Sequence, residues 1–315
     1  MGGVDGIGAG GNCGGVNDSG GRSIAIQAPA KLNLGLEVIG RREDGFHEIA
    51  TVLLAIDLYD TLTLGLADGL EVAGADLALA GGENLALSAL RALRDETGYD
   101  GGAWLELVKR IPVASGLGGA SSDAAAALRG GCALWGLDVG EDALHAIAAR
   151  LGSDIPFFLH GECAVGRGRG DELTTLPPPG DVWFVVVVPA IVMSNKTAKL
   201  YAQLRDGDFS DGAQISAQAS RLNQGLGLDP GLLGNAFARP LSALVPVLAE
   251  LPSVIRDAGA ATVAISGAGP AHYAPFDQPD EARQVAENIR DRLRERAQVY
   301  VAQPAASQPE SPPRL

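Results

Sequence analysis

The hydrophobic positions along the chain change repeatedly between the period of a strand and the period of a helix. Residues 23–42 and 49–67 alternate apolar and polar side chains, which predicts two short strands broken near Pro29 and then a further strand region. Residues 103–111 predict another strand. Residues 182–191 are apolar on both faces, which is typical of a buried strand.

Helical spacing separates these strands. Residues 83–98 repeat apolar side chains on one face and end in glycine, and residues 141–152 and 280–296 show the same amphipathic pattern. Residues 121–135 form an alanine-rich helix, whereas residues 261–276 predict a strand, a glycine turn and a strand. Strands and helices follow no regular schedule, so we predict an α+β fold in two lobes.

The ends of the chain differ in composition from the middle. The sequence predicts a disordered glycine-rich extension over residues 1–22 and a disordered Pro- and Ser-rich tail over residues 303–315. Between them we expect an N-terminal domain, residues 23–165, and a C-terminal domain, residues 166–302.

Charge and cysteine content narrow the function classes. The net charge is −14 and no basic stripe is visible, which excludes a typical nucleic-acid binder. A polyanion would have to bind locally, through backbone N–H groups, a few cations or a metal ion. No apolar run is long enough to span a membrane. The three cysteines, Cys13, Cys132 and Cys163, lack metal-ligand spacing, so we expect a cytoplasmic protein.

The segment IPVASGLGGASSDAAAALRG, residues 111–130, joins three glycines and two serines to a run of alanines. Gly116, Gly118 and Gly119 allow positive φ angles and close approach of a ligand to the main chain. Ser121 or Ser122 is expected to cap the helix that follows. The N–H groups and dipole of that helix would then face an anion, so the segment predicts a phosphate site.

Two familiar phosphate loops do not fit this segment. A Walker loop needs Gly-Lys-Ser/Thr, and no lysine follows Lys109 before the helix. A dinucleotide loop needs a third glycine where Ser121 stands. A structural turn that needs glycine only for packing is the alternative interpretation.

Three segments in order resemble the motifs of the GHMP kinases. PVASGLGGASSDAA resembles the second motif, APAKLNLGLEVIGRREDGFHE the first, and AISGAGPAHYA the glycine-rich third. The chain departs from many members at Ala120, at Ala268 and over residues 270–273. The resemblance covers nearly all of the chain between the two ends.

The resemblance implies a two-lobed fold with the active site in the cleft between the lobes. It implies transfer of the ATP γ-phosphate to the 2-hydroxyl of a CDP-linked methylerythritol, in the non-mevalonate isoprenoid route, because GRREDGFHE is typical of the members that act on a cytidyl substrate. The alternatives are a GHMP kinase of the homoserine or mevalonate type and a non-catalytic nucleotide-binding sensor. The sequence leaves open a monomer or a homodimer.

The resemblance also assigns candidate site residues. Asp154 matches the catalytic aspartate that accepts the hydroxyl proton. Lys31 matches a lysine beside that aspartate and the acceptor hydroxyl, where it favours the ionised forms of the aspartate and the hydroxyl. Taken alone, the local sequence favours a turn or helix cap for Asp154 and a solvated edge residue for Lys31. Mg²⁺ is expected to be carried mainly by the ATP phosphates, with Ser122 as a candidate ligand and Asp123 as another.

The remaining candidates divide between the two substrates. Positions matched to the ATP site are Pro112, Val113, Ala114, Ser115, Gly116, Leu117, Gly118, Gly119, Ala120, Ser121 and Ser122, with Asn84 and Lys109 near the adenine. Positions matched to the acceptor site are Asn33, Phe46, His47, Tyr201, Gly267 and Gly269. His47 would read the cytosine edge and Tyr201 would stack on the base, although a histidine in a turn is by itself most often a solvated loop residue.

Overall fold

The computed structural model describes residues 22–73 and 84–306. The strands are β1 (Ser23–Arg41), β2 (His47–Ala67), β3 (Leu70–Ala73), β4 (Gly102–Val108), β5 (Cys163–Arg167), β6 (Glu172–Thr175), β7 (Trp183–Pro189), β8 (Ala264–Ile265), β9 (His272–Phe276) and β10 (Ala297–Ala302). The helices are α1 (Leu85–Thr97), α2 (Gly119–Trp135), α3 (Glu141–Leu151), α4 (Ile155–His160), α5 (Lys196–Ala202), α6 (Ala213–Asn223), α7 (Ala238–Leu244), α8 (Leu251–Asp257) and α9 (Pro279–Leu293). This mixture confirms the predicted α+β class.

Within the described ranges the strands form two sheets. The first has the order β3-β4-β2-β5-β6, with β1 paired to β2. The second has the order β10-β7-β9-β8, and each of its neighbouring pairs is antiparallel. None of the helices in these ranges has both the length and the apolar run needed to cross a bilayer.

Three apolar clusters give the molecule its layers. Helices α1 to α4 pack on one face of the first sheet, and the second sheet packs against the paired strands β1 and β2 from the other side. Helices α7 to α9 cover the outer face of the second sheet. Strand β1 contributes side chains to all three clusters, so it runs from one lobe into the other.

The first predicted strand break is wrong. Residues 23–41 form one continuous strand, and the break predicted at Pro29 is a register shift between Pro29 and Ala30 in the pairing with β2. A bulge accommodates a residue that has no N–H to donate, so the strand bends without ending.

The predicted ends of the chain can be compared only in part. Residues 1–21 of the predicted extension and 307–315 of the predicted tail lie outside the described residues. The prediction is wrong for residues 303–306. The N–H of Asp57 donates to the carbonyl of Gln303 at 3.0 Å, the N–H of Ala305 donates to that of Ala55 at 2.9 Å, and the Ala305 side chain is buried. These residues therefore belong to the folded unit.

Ala305→Asp tests this packing, with Ala306→Asp as the matched control on an exposed neighbour. Ala305 belongs to the apolar cluster between the first sheet and α1 to α4, where a charge has no partner. The free energy of unfolding should therefore fall by about 3 kcal/mol. The same charge at Ala306 should change it by less than about 0.5 kcal/mol. Urea denaturation followed by circular dichroism measures both, and equal stability of the two variants would contradict the packing.

Candidate active site

Strand β1 presents two polar side chains toward one side of its central segment. Ala30, Leu32 and Leu34 are fully buried in the cluster between the two sheets. Successive side chains of a strand point to opposite faces, so Lys31 and Asn33 point away from that cluster. Both are buried nonetheless, because the glycine loop, residues 112–118, passes over them, and the N–H of Lys31 donates to the carbonyl of Leu117 at 2.9 Å.

The glycine loop turns directly into α2. Gly116 and Gly118 have φ angles of 93° and 74°, in the left-handed region that glycine favours. Gly118 is the N-cap of α2, and no side chain caps the helix. The expectation that Ser121 or Ser122 caps it is therefore wrong, because the turn at Gly118 lets the helix begin two residues earlier than predicted, at Gly119.

The loop of the third motif, residues 266–271 and called the third loop below, packs its main chain directly against the main chain of the glycine loop. A Cβ atom on Gly116 would lie 2.8 Å from the carbonyl oxygen of Gly269. The Ser266 hydroxyl donates to the carbonyl of Gly116 at 3.0 Å, and the N–H of Ala271 donates to that of Ser115 at 2.9 Å. The third loop thus fixes the glycine loop from the side opposite α2.

The unusual end of the third motif has a structural role. Tyr273 is fully buried, and its hydroxyl donates to the carbonyl of Asn33 at 2.7 Å. The ring of His272 is buried beside it, and its Nδ1 lies 2.9 Å from the carbonyl of Pro270. These residues therefore hold β1 and the third loop together.

Lys31 and Asp154 form the charged centre of the arrangement. Lys31 Nζ donates to Asn33 Oδ1 and lies 3.9 Å from Asp154 Oδ2. Asp154 holds the N-cap position of α4, but its side chain accepts no hydrogen bond from that helix. Its carboxylate is 44% exposed, whereas the Lys31 side chain is 4% exposed. One end of the ion pair is thus open to a ligand.

Burial and a neighbouring carboxylate have opposite effects on the pKa of Lys31. Burial lowers the pKa of Lys31, and the neighbouring Asp154 carboxylate only partly opposes this. An anion bound beside Lys31 would raise this pKa again, since an opposite charge nearby favours the ammonium form.

An aromatic cluster lies further along the same cleft. The rings of His47 and Tyr201 stack with centroids 4.4 Å apart and planes 21° apart, and Phe237 packs edge-on against Tyr201 at 4.9 Å. Burial and the nearby Arg41 lower the pKa of His47, and its Nε2 has no hydrogen-bond partner among the described residues. The structure thus brings together two side chains that lie 154 positions apart in the sequence.

Phe46 lies at the rim of this cluster. Its ring is 52% exposed, and the guanidinium carbon of Arg169 lies 5.1 Å from its centroid. Sequence analysis missed Arg169, Phe237 and Lys196, which also face the cleft. Only the neighbouring glycines of RGRG indicated that the segment around Arg169 turns sharply.

These groups line one cavity of about 780 Å³, within the usual range for a small-molecule site. Among its described lining residues, Lys31, Arg169 and Lys196 are cationic and Asp154 is acidic. A chain of net charge −14 thus has a locally positive cleft. Predicted site residues that line it are Lys31, Asn33, Phe46, His47, Ala114, Gly116, Gly118, Ser121, Asp154, Tyr201 and Gly267.

The other predicted residues lie behind or beside the cavity wall. Gly269 accepts a hydrogen bond from Lys196, and Asn84 caps α1 by accepting from the N–H of Ala86 at 2.9 Å. Val113 is 70% exposed at the rim. The rest do not line the cavity: Pro112, Ser115, Leu117, Gly119, Ala120, Ser122 and Lys109.

Lys109 belongs to a buried ion cluster under the start of α2. Its Nζ donates to Asp60 and to Asp123 Oδ2, the latter at 2.7 Å. Asp60 also accepts from the N–H groups of Arg110 and Ile111, at 2.6 and 2.9 Å, which fixes the entry to the glycine loop. Burial, reinforced by Asp60 and opposed by Lys109, raises the pKa of Asp123 to about 7.

Ser122 is the candidate metal ligand nearest the loop. In the described part of the chain no three His, Cys, Asp or Glu side chains cluster as a metal site. The Ser122 hydroxyl is buried and, among the described residues, has no hydrogen-bond partner. One such oxygen fits Mg²⁺, which usually takes few protein ligands and keeps water and phosphate oxygens.

Comparison with known proteins now decides the family. Residues 84–162 match the model of the GHMP kinases N terminal domain, and residues 215–295 match that of the GHMP kinases C terminal region. A 4-diphosphocytidyl-2-C-methyl-D-erythritol kinase of Dehalococcoides mccartyi is 35% identical over 267 residues, covering 84% of this chain and 94% of that protein. The chain belongs to the GHMP kinase family.

Solved structures agree with this GHMP kinase assignment. A crystal structure of 4-(cytidine 5'-diphospho)-2C-methyl-D-erythritol kinase is 35% identical, covers 90% of this chain and all of its own (100%), and superposes with a TM-score of 0.75. A homoserine kinase from Cytophaga hutchinsonii is 20% identical, covers 93% of this chain and 97% of its own, and has a TM-score of 0.73, which shows the shared fold alone. The expected GHMP kinase fold is confirmed.

Gly118→Ala tests the glycine loop of this GHMP kinase. A Cβ at Gly118 would lie 3.0 Å from Lys31 Cγ and 2.8 Å from Phe158, at a φ of 74°. We expect ATP affinity to fall about tenfold or more, equivalent to losing one charge-assisted hydrogen bond, as measured by calorimetric titration.

Gly136→Ala is the matched control, because Gly136 ends the same helix at a φ of 69° and a Cβ at this position would meet no other atom within 4 Å. It carries the same backbone strain without touching the cavity, so ATP affinity should be unchanged. Equal affinities of the two variants would show that the loop is only a packing turn.

Proposed function

We propose that this protein is a 4-diphosphocytidyl-2-C-methyl-D-erythritol kinase, which transfers the γ-phosphate of ATP to the 2-hydroxyl of its acceptor. One observation carries the proposal. A single cavity joins the glycine loop, the Lys31–Asp154 pair and the aromatic cluster around His47 and Tyr201. The curated relative and the solved structure named for this activity, each 35% identical, support the assignment of substrate.

ATP occupies the end of the cavity formed by the glycine loop. The first N–H groups of α2 have no partner within their own helix, so they and the helix dipole attract phosphate oxygens. Lys31 lies directly beside this end, since its stem packs on Gly118. Ser122, in the first turn of α2, is the candidate protein ligand for Mg²⁺, which would supply positive charge against the phosphates of ATP.

Asp154 accepts the proton of the acceptor hydroxyl as the new oxygen–phosphorus bond forms and ADP departs. Its carboxylate suits this role because it is partly exposed and accepts no helix-capping hydrogen bond. Lys31 stands between the carboxylate and the glycine loop, where its ammonium stabilises the charge of the transferring phosphoryl group. Asn33 orients that ammonium by accepting a hydrogen bond from it.

The cytosine base binds at the aromatic end. His47 and Tyr201 are 4.4 Å apart, which leaves no space for a third ring between them. The base therefore stacks on an outer face of the pair or displaces His47 from Tyr201. Either arrangement lets the unpartnered Nε2 of His47 bond the base edge, and Phe46 and Arg169 close the rim.

The widely spaced cysteines favour a cytoplasmic setting.

A substrate panel tests the proposal. ATP consumption by the full chain is measured with 4-diphosphocytidyl-2-C-methylerythritol, homoserine and mevalonate, each with and without Mg²⁺. We expect turnover with the cytidyl substrate alone and only with the metal present. Turnover of homoserine or mevalonate instead would contradict the proposed substrate and favour a kinase of that type. Nucleotide binding without turnover of any acceptor would favour the non-catalytic sensor.

Asp154→Asn and Lys31→Met test the division of labour. Asp154→Asn keeps the shape of the side chain and removes the base, which typically costs about 10²–10⁴-fold in kcat. Lys31→Met keeps most of the stem and removes the cation. Both variants should retain ATP binding, because the glycine loop holds the nucleotide.

The double variant is the internal control of this experiment. Both residues act on one hydroxyl. The loss of transition-state stabilisation in the double variant should therefore be smaller than the sum of the losses in the two single variants. Steady-state kinetics with the cytidyl acceptor give kcat and KM for all three variants. A wild-type kcat in Asp154→Asn would remove this residue from the mechanism.

A further inference from the structure

Lys196 is a buried cation that no motif indicated. It begins α5 and is only 8% exposed. Its Nζ donates to the carbonyl of Ala114 in the glycine loop, at 2.7 Å, and to the carbonyl of Gly269 in the third loop. The ammonium therefore lies between the two loops that meet at the phosphate end of the cavity.

The backbone around this ammonium adopts unfavourable conformations. In the described part of the chain three residues other than glycine have positive φ, and two of them flank Lys196: Ala114 at 55° and Asn195 at 51°. A residue with a Cβ keeps such an angle only where its surroundings hold it. The hydrogen bond from Lys196 holds the Ala114 carbonyl, so the lysine and the strained turn support each other.

The two carbonyl groups explain why a cation is needed here. Carbonyl oxygens carry partial negative charge and repel phosphate. Lys196 lines the cavity and covers both oxygens, which changes the sign of that part of the wall. An ammonium has three N–H donors, so one remains after the two carbonyl groups are satisfied.

We propose that Lys196 is a positioning residue of the nucleotide site, which ties the glycine loop to the third loop and presents a positive wall to the phosphates of ATP. This inference rests on the proposed function, since it takes ATP as the ligand. It adds to the Lys31–Asp154 pair a second cation that acts on the nucleotide and not on the acceptor hydroxyl.

Titration gives this role a distinctive signature. Burial, with a contribution from the charge of Lys31, lowers the pKa of Lys196 to about 8. The ammonium form predominates below that pH and binds the anion, so affinity for ATP is present below pH 8 and is lost as the pH rises through it.

The other ionisable groups that face this region have pKa values shifted in different directions. Burial lowers the pKa of Lys31 on β1, in the same direction as that of Lys196. A control variant must therefore distinguish the effect of Lys31 on ATP affinity from that of Lys196. Burial and Asp154 raise the pKa of Tyr201 on α5 to about 12, whereas burial and Arg41 lower the pKa of His47. The glycine loop and the third loop contain no ionisable side chain.

The experiment is calorimetric titration of the full chain with a non-hydrolysable ATP analogue between about pH 6.5 and 9.5. We expect wild-type affinity to fall above pH 8, by up to about tenfold per pH unit. Lys196→Arg, which stays charged, should bind with no such fall, whereas Lys196→Met should bind about 10–100-fold more weakly at pH 7 and show little dependence on pH.

Two further lysine variants act as controls. Lys199→Met removes an exposed lysine from the same helix and should match the wild type throughout. Lys31→Met should still show a fall in affinity with rising pH, displaced above the wild-type position because the charge of Lys31 contributes to the lowered pKa of Lys196, and this separates the two buried lysines. Melting temperatures of all variants report on folding.

The outcomes separate this inference from the proposed function. Wild-type analogue affinity in Lys196→Met, even with a lowered melting temperature, would reduce Lys196 to a structural brace and overturn the proposal. A fall above pH 8 that persists in Lys196→Arg would do the same. If Lys196→Met does not fold, the wild-type and Lys196→Arg profiles decide alone. A wild-type chain that binds no analogue at any pH would refute the kinase assignment itself, and this inference with it.

Discussion

Around Lys31 the glycine loop, the third loop and β1 approach one another at main-chain distance. A Cβ at Gly267 would lie 3.0 Å from Lys31 Nζ and 3.3 Å from the carbonyl of Gly116, so a side chain at this position would push the three segments apart. The hydroxyl of Ser266 bonds across the same junction. Three parts of the site are connected to this contact: α2 continues from one loop, β9 continues from the other, and Lys196 bonds to both.

The close packing has an electrostatic cost, because it buries two ammonium groups with a single partly exposed carboxylate nearby. Lys31 and Lys196 each have a lowered pKa for this reason. A polyanionic ligand relieves both at once, so the free energy stored as desolvated positive charge in the cleft is recovered on binding. The net charge of −14 does not oppose such binding, because the cations that face the cleft are few and lie close together.

The sequence predicted what repeats or is local. Helices α1, α3 and α9 and the strand β7 follow from periodicity and from the glycine at position 98 that ends α1. The glycine loop itself follows from its glycines and from the resemblance to the family. It could not predict the helix start at Gly119, which depends on one φ angle, nor the packing of Ala305 on a strand 250 residues earlier. Lys196 was invisible for a physical reason: its partners are backbone carbonyl groups, which every sequence contains.

The closed stack of His47 on Tyr201 bears on how the acceptor is discriminated. Each ring already covers one face of the other, at a centroid distance of 4.4 Å. A pyrimidine that displaces His47 from Tyr201 exchanges an existing stacking contact for a new one, so in that arrangement stacking adds little net affinity. What distinguishes one pyrimidine from another is then the pattern of donors and acceptors at the ring edge. In the proposed acceptor site, selectivity for the base would therefore rest on hydrogen bonds at its edge more than on stacking.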